Sequence, residues 1–370
     1  MTDFHLRWAA FSAWSLLLVA CSESPPVFHD IERPLRLSDW QLFTVDANEL
    51  VPSESSVVFQ PNNPLFTDYA HKLRTLWIPQ SLQAEIVDDE INYPVGSVLS
   101  KTFFYPRTSS TTSTTSTLLT KVADSRLQKI NLGENQLIET RLLVRKNDGW
   151  DAFPYVWNDE QTEAFLRVAG ASKQISLLDQ DSTQTTDFTY FVPNENQCAG
   201  CHTTVHPDGD MHPLGALFSQ LNVDVSDGSA SPLEKMIQRG WLNDEQVFPR
   251  SESWQDLSAS LDDRALAYLN MQCGHCHNPK GAADTSGLIL DSSQTLAINR
   301  GVCKPPVAAG GGAGDLRYAI VPGQPEESIL LYRMRSDKPD EMMPELGRSL
   351  IHSEGVDLIS RWIAEMSGAC

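Results

Sequence analysis

The sequence is poor in positive charge. Its 370 residues carry 28 Lys and Arg against 48 Asp and Glu, a formal net charge of −20. The basic residues form no cluster of the kind that tracks phosphates, which makes nucleic acid a poor partner. A long apolar run is also lacking. The apolar stretch at residues 8–20 is broken by Ser12 and Ser15 and falls short of the ~20 residues that cross a bilayer. The glycine-rich run at 310–314 has no Lys followed by Ser or Thr, so it does not read as a phosphate loop. What is present is enough apolar side chain, 41% of the residues, to build folded cores. The length predicts two or more domains. The acidity fits steering toward a basic partner surface, and it fits solubility alone equally well.

The seven cysteines are concentrated. Four fall in two runs, Cys198-Ala199-Gly200-Cys201-His202 and Cys273-Gly274-His275-Cys276-His277. Both have the spacing C-x-x-C-H, the attachment signature of a c-type haem. The chemistry needs that spacing. Each thiol adds to one porphyrin vinyl group, and two intervening residues let one helical turn present both sulfurs along the same edge. The following His supplies the proximal nitrogen to iron. A zinc site uses C-x-x-C pairs but needs no His after each of them. Two covalent haem c groups are therefore expected, with iron on His202 and His277. One haem with a decoy motif, or a zinc or dithiol pair, are the competing readings. Cys303 and Cys370 are left over. In an oxidising compartment such a pair predicts a disulfide, with two unpaired thiols as the alternative.

Arg7 followed by the short apolar stretch reads as a secretion signal. Its end, Leu18-Val19-Ala20-Cys21, resembles the lipobox of bacterial lipoproteins. That resemblance implies a signal peptide at 1–20 and a diacylglyceryl group on Cys21. Several acyl chains anchor a protein stably where one is marginal. Ser22 in place of Asp implies, by the rules of that family, the outer membrane. The chain is thus expected to face the periplasm, with the cell surface also open. A soluble secreted protein cut nearby is the alternative.

The rest divides by pattern. Residues 21–35 read as a tether and 36–195 as a β-rich domain, sandwich-like. Ile138, Thr140, Leu142 and Val144 alternate with Glu139, Arg141 and Leu143, the period of a half-buried strand. Similar runs rich in Val, Phe, Tyr and Trp occur at 56–60, 73–79, 98–105, 153–157 and 188–192. The run at 108–117, all Ser and Thr, predicts a polar loop. Tyr155, Trp157, His71 and Arg74 are the residues of this region that could line a site, although aromatics at strand spacing are more often core. Residues 196–254 hold the first haem motif. Residues 255–370 turn helical. Ser260 and Asp263 mark a helix start, and Leu261, Ala265, Leu266, Tyr268 and Leu269 give an apolar face leading into Cys273. Val356, Ile359, Trp362, Ile363 and Met366 recur at helical spacing behind Ser353, a candidate cap.

A helix before the haem motif and another at the end resemble a class I cytochrome c, whose two helices pack across each other. The resemblance implies a mainly α haem domain over 255–370. It also implies that Met343, in Met342-Met343-Pro344-Glu345-Leu346-Gly347, is the distal ligand of the second iron, with Met342 as runner-up. A thioether ligand raises the potential relative to a second histidine. Tyr318 to Ser328 resembles the turn and helix start ahead of that loop, Pro325 suiting a first helical turn. For the first haem, His206, Met211, His212 and Met236 are the distal candidates, and a vacant sixth position stays open. Pro213-Leu214-Gly215 resembles the segment that hydrogen-bonds the proximal His in small cytochromes.

Across most of its length the chain resembles a family of exported bacterial proteins. They join a β-rich region, with runs like Pro64-Leu65-Phe66-Thr67-Asp68-Tyr69-Ala70 and Ile138-Glu139-Thr140-Arg141-Leu142, to c-type haem motifs. The resemblance implies haem binding and one-electron transfer. The expected partner is a redox protein, a dehydrogenase or another cytochrome. A dihaem peroxidase-like oxidoreductase and a haem-based sensor or binding lipoprotein are the alternatives.

Overall fold

The computed structural model describes residues 24–87, 90–108, 118–121, 127–179, 182–203, 205–223, 228–243, 250–293, 296–307 and 310–370. The signal-like segment, Cys21 and nearly all of the Ser/Thr run lie outside the described residues. In chain order the strands are β1 (Phe43–Asp46), β2 (Glu49–Pro52), β3 (Val57–Phe59), β4 (His71–Trp77), β5 (Glu85–Val87), β6 (Glu90–Asn92), β7 (Val98–Pro106), β8 (Leu118–Lys121), β9 (Ile130–Asn131), β10 (Asn135–Lys146), β11 (Gly149–Trp157), β12 (Ala164–Leu166), β13 (Ala171–Asp179) and β14 (Thr185–Val192). The helices follow as α1 (Glu195–His202), α2 (Phe218–Leu221), α3 (Pro232–Gln238), α4 (Leu261–Gln272), α5 (Ile329–Arg335) and α6 (Ser353–Glu365). A β-rich region thus precedes a helical one. No helix of the described residues is long and apolar enough to cross a membrane.

The centre is a six-stranded antiparallel sheet in the order β12-β11-β10-β7-β4-β3. Its strands alternate as the sequence pattern requires. On one face Leu73, Trp77, Val98, Phe104, Leu142, Val144 and Phe153 meet Leu50 of β2 and Ile130 of β9, so the small sheet β1-β2-β9 covers that side. The opposite face is shared. Phe103 and Tyr105 meet Ile175, Leu177 and Tyr190 of the sheet β14-β13-β8. Leu76, Leu99, Leu143 and Ala152 meet helices α1 to α3.

Two sequence expectations are adjusted by this layering. The alternating run in β10 is buried on both faces, because elements cover each side. A bulge between Leu137 and Glu139 also moves Ile138 out of step with Thr140 and into the cluster of Phe103 and Tyr105. Residues 27–35, expected as tether, run along the β-rich region instead. The Val27 N–H donates to the Trp40 carbonyl at 2.9 Å, the Lys146 ammonium to the Asp30 carbonyl at 2.7 Å, and the Tyr155 hydroxyl to the Pro34 carbonyl at 2.8 Å.

In the helical region α4 and α6 pack across each other. Ala265, Tyr268 and Leu269 bury against Val356, Ile359, Trp362 and Ile363. The Trp362 indole N–H donates to Asp262 at 2.7 Å. Ser260 caps α4, its hydroxyl accepting from the Asp263 N–H at 3.1 Å. Ser353 is the first residue of α6 and His352 holds the cap position. The Ser353 N–H is instead taken at 3.0 Å by the hydroxyl of Tyr69, from the β-rich region. Cys303 and Cys370 are joined by a disulfide across 67 residues. Gly355 lets α6 approach α4: a Cβ there would overlap the Tyr268 phenol. Gly355→Ala is expected to lower stability by about 1–3 kcal/mol through this overpacking, read as a lower denaturant midpoint at unchanged slope.

Candidate functional site

Each C-x-x-C-H run sits at the end of a capped helix. In α1 the Asn194 side chain accepts from the Gln197 N–H at 2.8 Å, and the Gln197 side chain accepts from the Asn194 N–H at 3.0 Å. This reciprocal cap fixes a short helix that ends on Cys198, Cys201 and His202. In the second run α4 continues into the motif, with the Cys273 N–H donating to the Leu269 carbonyl at 2.9 Å and the His277 N–H to the Cys273 carbonyl at 2.8 Å. All four motif cysteines are free thiols, while Cys303 and Cys370 are paired.

Both motif histidines are held in the tautomer that leaves Nε2 bare. The chain after α1 folds back so that the His212 N–H reaches the His202 carbonyl at 2.8 Å. The His202 ring then donates its Nδ1–H to the His212 carbonyl at 2.7 Å. His277 Nδ1 lies 3.2 Å from the Ser286 hydroxyl. That hydroxyl donates its own hydrogen to the Ala283 carbonyl at 2.6 Å, so the ring must be the donor. Fixing the second ring nitrogen in this way is how proteins orient a metal-binding imidazole. Burial pushes both imidazoles down to about 4, so both are neutral at physiological pH.

The two motifs touch. The Cys276 sulfur lies 3.9 Å from the Gly200 carbonyl. The His206 N–H donates to the Lys280 carbonyl at 2.8 Å. The Cys276 and Cys201 thiols are hydrogen-bonded to each other, which pulls the Cys201 thiol down and pushes the Cys276 thiol up. Beside them the His275 ring keeps a buried Nδ1 that has no hydrogen-bond partner among the described residues. Unbridged thiols in pairs, each followed by a neutral imidazole with a bare Nε2, fit a covalently attached haem. Among the described residues no group of three or more His, Cys, Asp or Glu is gathered to hold a bare metal ion.

Met343 lies on the loop after α5, and Arg348 fastens that loop. The Met343 N–H donates to the Arg333 carbonyl at 3.0 Å. The Arg348 guanidinium donates to the carbonyls of Met343 at 2.9 Å, Ser336 at 2.8 Å and Arg333 at 3.3 Å. Met342 is buried and Met343 is partly exposed. The loop also reaches the first motif, since Leu346 packs 3.6 Å from the Cβ position of Gly200. Of the distal candidates for the first motif, His212 is committed to the proximal imidazole through its carbonyl. His206 is bound by its backbone to Lys280, three residues past the second motif. Met211 and Met236 pack in the same cluster as Cys198.

A family model described as Planctomycete cytochrome C matches residues 273–346. The C-terminal region is cytochrome c-like. The match begins on Cys273 and ends just past the Met343 loop, so it covers the second motif and leaves out the first. It marks the cytochrome c-like region as a haem-binding electron carrier and says nothing of the β-rich half. No curated protein and no solved structure matches the chain.

The β-rich half nevertheless completes this region, through Pro64 to Ala70. The Phe66 N–H donates to the Gln272 side chain at 2.9 Å, and the Gln272 amide donates to the Pro64 carbonyl at 3.0 Å. Phe66 stacks on His352 at 4.3 Å. The Asp68 carboxylate accepts the N–H groups of Ser349 at 2.6 Å and Leu350 at 2.7 Å. Nothing in the spacing of the sequence singles out Gln272, Ser286 or Arg348. Their roles come from partners far away in the chain, although Pro64 to Ala70 is a run that the resemblance had marked. Tyr155 and Trp157 are core, as their strand spacing favours.

Burial pushes the Asp68 carboxyl up to about 6, outweighing the two backbone donors and the cations of Lys72 and Arg348. Raised in this way, its contribution to stability is full at low pH and is lost as pH rises through about 6. Asp68→Asn keeps an acceptor and removes the charge. It should match the unsubstituted protein in denaturation midpoint at about pH 4 and exceed it above about pH 7. Asp68→Ala strands two part-buried N–H groups and should cost about 1–3 kcal/mol at either pH. Arg348→Leu strands carbonyls on the methionine loop and should cost about 2–3 kcal/mol, measured by chemical denaturation.

Proposed function

We propose that this protein is an exported dihaem c-type cytochrome that carries single electrons. In this reading Cys198 and Cys201 hold one haem c, and Cys273 and Cys276 hold the other. His202 and His277 supply the proximal nitrogens, and Met343 supplies the distal sulfur of the second site. A bound haem supplies a one-electron iron couple whose potential is tuned by its axial ligands and their hydrogen bonds. The chain's own residues do the rest. His212 and Ser286 orient the proximal rings, Arg348 holds the methionine loop, and the β-rich half clamps the second site at both ends. Acylation of Cys21 anchors the chain to the outer membrane, facing the periplasm. Electrons arrive from a redox partner, a dehydrogenase or another cytochrome, whose basic surface is attracted by the net charge of −20.

The contact between the motifs is the observation that carries the reading. A decoy C-x-x-C-H run would have no reason to lie against a true one, with its His half-buried, neutral and held, like the other, through Nδ1. Adjacent attachment edges suit a relay, in which an electron received at one site is passed on at the other.

The test is haem content of the purified holoprotein by pyridine haemochrome and intact mass. Two haems per chain are expected, falling to one in Cys198→Ala/Cys201→Ala. The spectra should be low-spin in both oxidation states, with no turnover of peroxide and no binding of carbon monoxide. One haem, or none, in the unsubstituted chain overturns the two-site reading. A high-spin component that binds carbon monoxide overturns the carrier reading.

A further inference from the structure

The run from Pro64 to Ala70 does more than join the two halves, because it carries a carboxylate into their seam. Asp68 is only 2% exposed. Its Oδ1 accepts the N–H groups of Ser349 at 2.6 Å and Leu350 at 2.7 Å. A neutral side-chain carbonyl could accept both without a charge to bury. Asp68 and its neighbour Tyr69 also both take left-handed backbone, at φ 48° and 61°. Such conformations at non-glycine residues cost energy and persist where the surroundings impose them.

The groups that face the carboxyl come from three elements. Lys72 at the start of β4 and Arg348 after the methionine loop favour its charged form, and burial outweighs them. Tyr105 of β7 spends its hydroxyl on the Asp68 backbone carbonyl at 2.7 Å. The nearby charges of Lys121, Glu354 and His352 are gathered around Tyr69 instead. Asp68 is thus a carboxyl balanced between its two protonation states close to neutrality.

Its place ties it to both sides of the second site. Arg348, itself buried, acts on the Asp68 charge and is acted on by it, and donates to the Met343 carbonyl at 2.9 Å. Two residues before Asp68, the Phe66 N–H donates to Gln272, the neighbour of Cys273. Salt screens buried charges much less than exposed ones, and their mutual energies are larger than in water.

We propose that the second site takes up a proton together with its electron, and that Asp68 is the group that holds this proton. Asp68 is ionised more readily while the iron on His277 is ferric, because the ferric site carries one more positive charge. Once the redox partner has supplied one electron and the iron is ferrous, the Asp68 carboxylate takes one proton from water and an O–H bond forms. Loss of the electron breaks that bond and returns the proton to water. Asp68 is here a positioning residue for charge, acting through Arg348 and the buried field and touching neither iron nor ligand. The inference rests on the haem reading of Cys273, Cys276 and His277 alone.

The test is a potentiometric titration of the holoprotein from about pH 4.5 to about pH 8, with haem content measured on each sample. In the unsubstituted protein a midpoint should fall as pH rises, since the ionised carboxylate favours the ferric form. In Asp68→Asn that fall should be lost or much reduced, the midpoint lying above that of the unsubstituted protein at about pH 8 and matching it at about pH 4.5. Lys72→Met should move the fall to higher pH, because a carboxyl that has lost a cation holds its proton more tightly. Glu49→Gln, which neutralises a carboxylate in the exposed pair with Lys129, should leave it unchanged. An unaltered fall in Asp68→Asn, or no fall in the unsubstituted protein, overturns proton uptake at Asp68 and leaves the carrier reading standing. Should Asp68→Asn fail to hold haem, an unmoved fall in Lys72→Met overturns it equally. No haem on Cys273 and Cys276 overturns both readings.

Discussion

One carboxylate and one amide hold the two halves of this protein in a working relation. Gln272 immediately precedes Cys273, and its side chain is bonded in both directions to the backbone of Pro64 and Phe66. Asp68, four residues past Pro64, takes the backbone N–H groups where the chain leaves the methionine loop. The start of the second C-x-x-C-H run and the exit of the Met343 loop are thus both bonded to one short piece of the β-rich half. Next to these anchors Tyr69 supplies the hydroxyl that closes the first turn of α6. The partners of Gln272 lie some 200 positions away in the chain, in the segment that leads into β4 of the central sheet.

The sheet also sets the polarity of the site. One of its faces is mostly apolar beneath β1, β2 and β9, and its hydroxyls pair with one another, Thr75 with Ser100 and Thr102 with Thr140. The other changes character along the strands, from leucines under α1 to α3, through Arg74, Lys101 and Arg141, to the aromatic cluster of Phe103, Tyr105 and Tyr190. Burial and the neighbouring cations of Arg74, Lys72 and Arg141 push the Lys101 ammonium down.

Local chemistry was legible in the sequence, and long-range chemistry was not. The two C-x-x-C-H runs, the Ser260 cap, the crossing apolar faces of α4 and α6 and the main strands follow from period and spacing, which short stretches encode by themselves. The pairing of Cys303 with Cys370 could be expected by elimination. Ser353 was misplaced by one position because its N–H is satisfied by Tyr69, a partner invisible to any local rule. The residues at 27–35 looked like tether because their polar groups find partners only in the folded sheet.

The segment between the sheet and α4 has no interior of its own. Cys198, Phe218, Leu221, Leu233, Met236 and Trp241 are buried only because Val57, Phe59, Leu76 and Trp150 complete their cluster. A cut at either end of this segment would leave half a core on each fragment. The first C-x-x-C-H run is accordingly not a portable cassette, such as could be shuffled between proteins or excised by itself. It is one wall of a larger building, and changes to the sheet beneath it must be compatible with what that wall supports.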